Sequence, residues 1–402
     1  MKILAAAFAA ACVAIGAPAF AQSASPAPVP KASPAPAASP AASPSPSPSP
    51  TPKPWVPSGF ADTSYSAVST SKSFQFGDGA NSRVFDTVNR QPMLNNLNLQ
   101  LQHNGVIGGK LELSLGSDAD VIASYPTANN NSVDITNAYL SASSGQFTLI
   151  AGKFSTLAGA EVLESPGNLN FSRSILFGYA IPFTHTGARL TWAATSTVSV
   201  IAGINNGWDN TKGSGGPLTA EGGLAYTNKN LTWTAQGYSG TERVSNAAWT
   251  NPAAFPPGFD SAGHRSVIDS VATYKFGPVV TGTLNYDYGY QGVAPIVDAN
   301  GALLGFGHAT WNGLAGYASA AVTPKVTVTG RYEVFNDPQG YRSSYAQKWG
   351  EGTLTFAYAP STPLLFRLEV RADHSNVMPW VDGNGNPISR LSSIGLEGIV
   401  KF

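Results

Sequence analysis

Between Leu364 and Asp373 four ionisable residues, Arg367, Glu369, Arg371 and Asp373, alternate with Phe366, Leu368, Val370 and Ala372. Successive side chains of an extended chain point to opposite faces, so the four charges share one face and the apolar residues take the other. A row of mixed sign pairs no nucleophile with a base; its chemistry is to hold or steer ions and small polar solutes. Arg331 and Glu333 repeat the arrangement between Val326 and Val334, and Arg189 stands between Ala188 and Leu190. The connection from Ser155 to Phe183 adds Glu161, Glu164 and Arg173, with Lys153 just ahead of it. Ionised groups shut into a dry core cost several kcal/mol each. The expectation is a wet lumen lined by Lys153, Arg189, Arg331, Glu333, Arg367, Glu369, Arg371 and Asp373, with opposite signs partly neutralising one another.

Other chemistry is missing from the pattern. His103, His185, His264, His308 and His374 are scattered singly, without partners at metal-ligand spacing, so neither a metal nor a cofactor is expected. The run from Asp382 to Asn386 opens like a calcium loop, but Pro387 stands where glycine is needed and Ser393 where glutamate is needed. It reads as a turn-rich outer loop. No Gly-x-Ser-x-Gly elbow or phosphate-binding loop occurs. A lipid-hydrolysing barrel that uses His185 between Thr184 and Thr186 is the weakest alternative, because no triad can be assigned.

The charged rows must be positioned by strands. Leu97, Leu99 and Leu101 alternate with Asn96, Asn98, Gln100 and Gln102, and Leu111, Leu113 and Leu115 alternate with Lys110, Glu112 and Ser114. The final segment sets Ile394, Leu396, Gly398, Val400 and Phe402 against Ser393, Gly395, Glu397, Ile399 and Lys401, a period of two that ends on an aromatic. Seven short turns (102–106, 143–146, 194–197, 227–230, 276–278, 322–325 and 359–363) alternate with eight longer segments (69–93, 117–132, 155–183, 206–217, 240–265, 291–306, 336–346 and 375–389). That asymmetry belongs to an up-and-down antiparallel barrel of the outer membrane, with short periplasmic turns and long extracellular loops. The count implies sixteen strands, wide enough for an aqueous channel, with both termini periplasmic. Gly59 to Val68 and Phe147 to Phe154 alternate poorly. Trp192, Trp233, Tyr286, Trp311, Tyr317, Phe356 and Tyr358 are candidates for interface girdles. The third long segment, 155–183, is too apolar for a plain surface excursion and is expected to fold inward, where Glu161, Glu164 and Arg173 would form the constriction.

Residues 1–21 read as a cleaved signal peptide: Lys2, an apolar run from Ile3 to Ile15, then Ala19-Phe20-Ala21. Its removal takes away the only cysteine, Cys12, so no disulfide or thiol site is expected. Residues 22–57 collapse to Pro, Ala and Ser with only Lys31 and Lys53 charged, the composition of a disordered periplasmic spacer. The barrel is expected over 58–402. The near-neutral charge balance gives no argument for nucleic acid.

Gly152-Lys153-Phe154, Gly159-Ala160-Glu161, the run from Asn170 to Ser174, the run from Gly178 to Gly187 and Asn206-Gly207-Trp208-Asp209 together resemble the OmpL-like β-barrel porin family. The resemblance covers most of the chain after Pro57, is strongest from Gly152 to Asp209, and implies an outer-membrane porin fold. The leading expectation is passive diffusion of small hydrophilic solutes or ions across outer-membrane lipid. The alternative is a structural or adhesive barrel tethered to peptidoglycan by the spacer. A homotrimer fits the class, although no residue pattern marks a subunit contact.

Overall fold

The computed structural model describes residues 54–124, 132–212, 218–244 and 261–402; the expected signal peptide, and the spacer up to residue 53, lie outside the described residues. One half of the wall is made by β1 (Val56–Val68), β2 (Pro92–His103), β3 (Ile107–Leu115), β4 (Val133–Ser144), β5 (Phe147–Ser155), β6 (Thr184–Trp192), β7 (Val198–Asn205) and β8 (Thr219–Thr227). The other is made by β9 (Leu231–Val244), β10 (Ser261–Lys275), β11 (Val280–Val297), β12 (Leu303–Thr323), β13 (Val326–Asp337), β14 (Gln347–Tyr358) and β15 (Leu364–Ser375). A small ribbon, β16 (Trp380–Val381) and β17 (Pro387–Ile388), precedes the last wall strand, β18 (Arg390–Lys401). Each wall strand pairs antiparallel with its neighbours and β18 pairs with β1, which closes sixteen strands into one barrel. Gly59 and Phe402 exchange backbone hydrogen bonds of 2.9 and 3.0 Å across the seam. Closure leaves no raw strand edge.

Two boundaries differ from the sequence expectation. Pairing begins at Val56 opposite Gln102, inside what was expected to be spacer. The segment 291–306, expected as a loop, is mostly strand: β11 runs to Val297 and β12 starts at Leu303, so the hairpin rises past its neighbours. The weak alternation in β5 has a local cause. Gly152 adopts φ +136°, where a side chain would stand 2.2 Å from the Ala138 carbonyl oxygen, and after it Lys153 and Phe154 are both buried.

The wall's outer face is oily all round. Leu99, Leu190, Leu284, Leu314, Leu368 and Leu396 are between 39% and 58% exposed. A belt of that extent has no match on a soluble monomer and suits hydrocarbon. Trp192, Tyr286, Phe356 and Tyr358 stand on this face as expected. Trp311 and Tyr317 do not. They occupy inward positions of β12 beside the small Gly313 and Ala315, where their rings are buried under the loops.

The hydrophobic core lies inside the barrel. Phe74, Phe76 and Phe85 from the β1–β2 loop join Leu163, Leu176, Phe177 and Ile181 from the β5–β6 loop, and both sets pack on Trp311, Phe335 and Trp349 of the wall. This corrects the expectation of a continuous water column with the charges in bulk water: around the loops the lumen is filled, and the inward charges are buried.

Candidate channel constriction

The β5–β6 loop carries most of the site. Backbone hydrogen bonding between Thr156 and Phe183 pinches its base. The loop then follows the inner wall from β9 to β15. Ala160 donates its N–H to Asn285 Oδ1 on β11 (3.1 Å). Glu161 Oε1 accepts from Tyr317 Oη on β12 (3.2 Å) and Arg331 Nη1 on β13 (2.8 Å), and its Oε2 accepts from Ser174 N (2.8 Å). Glu161 thus ties both limbs of the loop to one arginine.

The wall side chains hold loop backbone more than one another. Glu333 accepts the N–H groups of Ile175 (2.6 Å) and Leu176 (3.0 Å), at the first turn of a short helix, α1 (Ile175–Tyr179). Those N–H groups have no intrahelical partner, so a carboxylate is their natural acceptor. Ser174 caps the same turn by accepting from Phe177 N (3.0 Å). Glu369 accepts from Phe171 N (2.8 Å) and Ser172 N (3.0 Å). Arg331 donates to the Ser172 carbonyl (2.7 Å), Arg371 to the Arg173 carbonyl (2.7 Å), and Arg367 to the Ser165 carbonyl (3.1 Å) and to that of Asn168. Here lies the physical reason the charges tolerate burial: they are matched to loop peptide groups, to opposite charges, or to both. Arg331 pairs with Glu351 (2.6 Å), Arg371 with Asp373 (2.7 Å), Arg367 with Glu397, Arg189 with Glu221 (2.7 Å) and Lys153 with Asp134 (3.0 Å).

The three loop residues separate. Glu161 faces β12 and β13, whereas the partly exposed Glu164 sits 3.6 Å from Lys110 Nζ on β3, across the barrel. Arg173 turns back on its own loop, donating to the carbonyls of Leu163 (2.8 Å) and Phe171 (3.2 Å), with its guanidinium 5.0 Å from the Phe85 ring centre. Its hydrogen bonds brace the loop from within.

Residues not singled out from the sequence complete the network. Arg83 of the β1–β2 loop reaches Asp373 (2.7 Å) and Asp86 (2.9 Å), so two loops share one wall ladder. Glu351 lies inward on β14 in register with Glu333 and Asp373. The alternation of Glu351, Thr353 and Thr355 with Gly352, Leu354 and Phe356 carried that signal, as did the phenylalanines of segment 69–93. Asp118, in a second short helix (Ser117–Ile122), is also buried; burial, opposed by Arg173 and reinforced by Glu397 and Asp86, raises its carboxyl to about 7.

Nothing in this arrangement supports lipid hydrolysis. His185 is fully buried on the inner side of β6, stacked on Tyr238 at 4.4 Å between ring centres, away from lipid. Asp382 spends its oxygens on Asn384 N (2.8 Å), Asn386 N (2.9 Å) and Asn386 Nδ2 (3.0 Å), as a turn does. Among the described residues no three His, Cys, Asp or Glu converge on a metal position.

A sealed cylinder with an oily belt outside, polar groups within and a loop drawn into its bore defines a channel protein of the outer membrane. Solved structures with this fold include the outer membrane channel DcaP of Acinetobacter baumannii (14% identity, covering 87% of this chain and 97% of that one, TM-score 0.55). An anion-selective porin from Comamonas acidovorans (12%, 87% and 99%, 0.57) and OprB of Pseudomonas putida (10%, 87% and 94%, 0.55) share it too. No curated protein sequence matches the chain. The chain belongs to the family described as "Putative beta-barrel porin-2, OmpL-like", whose model matches residues 58–402. It is an outer-membrane porin and not an enzyme.

Proposed function

We propose that the barrel passes small hydrophilic solutes or ions by passive diffusion through a narrow path between the β5–β6 loop and the wall of β6 to β9. Inward positions there include Gly187, Gly203, Gly223 and Gly240, and the side chains of Asn205, Glu221, Gln236 and Thr219 lie over them. Polar groups laid flat against a wall leave bore in front of them. The observation that carries the reading is chemical. His185 Nε2, Arg189 Nη2, Asn205 Nδ2, Glu221 Oε2 and Gln236 Oε1 are buried without a protein partner, and interior polar groups of that kind bond to water.

In this reading Glu161, Glu164 and Arg173 shape the constriction, and Lys153, Arg189, Arg331, Glu333, Arg367, Glu369, Arg371 and Asp373 line or brace the bore. Both termini lie on the periplasmic side, with the short turns. A homotrimer is the proposed assembly; OmpT of Vibrio cholerae, of the same fold (10% identity, covering 87% of this chain and 99% of that one, TM-score 0.52), has a structure in trimer form. The wall-tether alternative concerns residues 22–57, of which only 54–57 are described. Refolded protein in a planar bilayer tests the proposal: discrete conductance steps are expected, and a silent bilayer over a wide voltage range overturns it.

A further inference from the structure

We infer that the conduit prefers cations, an inference that rests on the porin reading above. The whole chain is balanced, with 23 basic and 23 acidic residues. Among the described residues the buried ones are not: sixteen Asp and Glu face eight Lys and Arg. Many of the remaining basic residues are exposed, as Lys229, Lys275 and Lys325 are at the short turns. The sequence expectation of lumen charges that nearly neutralise one another is therefore replaced by a two-to-one excess of carboxyl groups.

The excess is concentrated where no arginine answers it. Asp269 on β10 stands directly opposite Asp287 on β11, on the wall that continues from the proposed path, where the β5–β6 loop crosses it through the Ala160–Asn285 bond; both are fully buried. Asn285 Nδ2 donates to Asp269 Oδ2 (2.7 Å) and reaches Asp287 Oδ2 (3.4 Å), while the Oδ1 atom of each carboxyl has no partner. On the proposed path Glu221 is paired with Arg189 through Oε1, and its Oε2 has no protein partner. Carboxylates held in a low-dielectric bore attract a passing cation far more strongly than they would in water and repel an anion. Cation channels use rings of Asp and Glu in this way.

The test is a reversal potential. Full-length refolded protein is inserted in a planar bilayer under a KCl gradient, and the reversal potential is expected on the potassium side, with potassium permeability several-fold above chloride. The double variant Asp269→Asn/Asp287→Asn keeps the shape of both side chains and is expected to at least halve that ratio, with its folding checked by migration on unheated gels. Conductance that reverses at zero or on the chloride side overturns the inference and leaves the porin reading intact. No conductance at all overturns both. A wild-type ratio in the folded double variant overturns the assignment to this pair; should that variant fail to fold, the wild-type reversal potential alone decides.

Discussion

The walls of β13 to β15 and of β6 to β9 follow one rule, alternate residues inward, and reach opposite results. On the first, inward positions carry long charged side chains that seize the peptide groups of the β5–β6 loop: Glu333, Glu369, Arg331, Arg371 and Arg367 between them bond Ile175, Leu176, Phe171, Ser172, Arg173, Ser165 and Asn168. On the second, inward glycines let polar side chains lie flat, and several of their polar atoms go unused by protein. The teaching is that charge alone does not make a lining. A charged row facing a loop of matching peptide groups becomes a clamp, and a polar row without one becomes a surface for water.

The largest expected effect breaks the clamp. Arg331→Met strips the cation from Glu161, Glu333 and Glu351, all buried, and should destabilise the barrel by about 3–5 kcal/mol in urea unfolding from detergent, the cost of a buried pair broken on one side. It should also raise and roughen single-channel conductance as the loop loosens; a quiet channel of wild-type stability contradicts the clamp. Next comes the apolar plug that backs it. Phe177→Ala, at a side chain 2% exposed, should cost about 3 kcal/mol by cavity formation and increase conductance.

A matched pair of substitutions sharpens the contrast between the walls. Gly223→Leu meets the Gln236 side chain first, whereas Thr355→Leu lies under the clamped loop beside Glu369. The first should lower conductance at a stability cost of about 1–2 kcal/mol, and the second should lower stability with little change in conductance. The reverse ranking would move the path to the other wall.

A smaller effect concerns Asp118. Below pH about 4 its carboxyl is neutral whether the chain is folded or not. From there to about 7 the folded chain keeps a proton that the unfolded chain has released, so the contribution to stability is present in acid and lost as pH rises through that interval. The midpoint of thermal unfolding should decrease as the pH is raised from about 4 to about 7, and Asp118→Asn should flatten the dependence. The least effect is expected at the exposed turn of the β16–β17 ribbon, where Asp382→Ala should cost about 1 kcal/mol or less and leave conductance unchanged.

The barrel, its strand count and the inward course of the third loop were legible because each rests on a pattern with one physical reading: period two, alternating connection lengths, and a long loop with too many apolar residues to sit in water. Burial of the ladder was not legible. The sequence displays Arg331 and Glu369 as charges, and a charge reads as needing water; that peptide groups of a distant loop satisfy it is a tertiary fact. Trp311 and Tyr317 misled for a related reason, since an aromatic in a strand carries no label for its face. Arg173 was legible as a charge of the loop, but its bonds to the carbonyls of Leu163 and Phe171 within that loop were not.

The seam between β1 and β18 joins the first wall strand to the last. Until β18 is in place, the first strand has no second neighbour and the cylinder cannot shut, so closure depends on a contact between segments more than 300 residues apart. A copy that loses even its last strand would be left with two sticky margins in place of none, and the natural fate of such a fragment is to aggregate before it ever meets a bilayer.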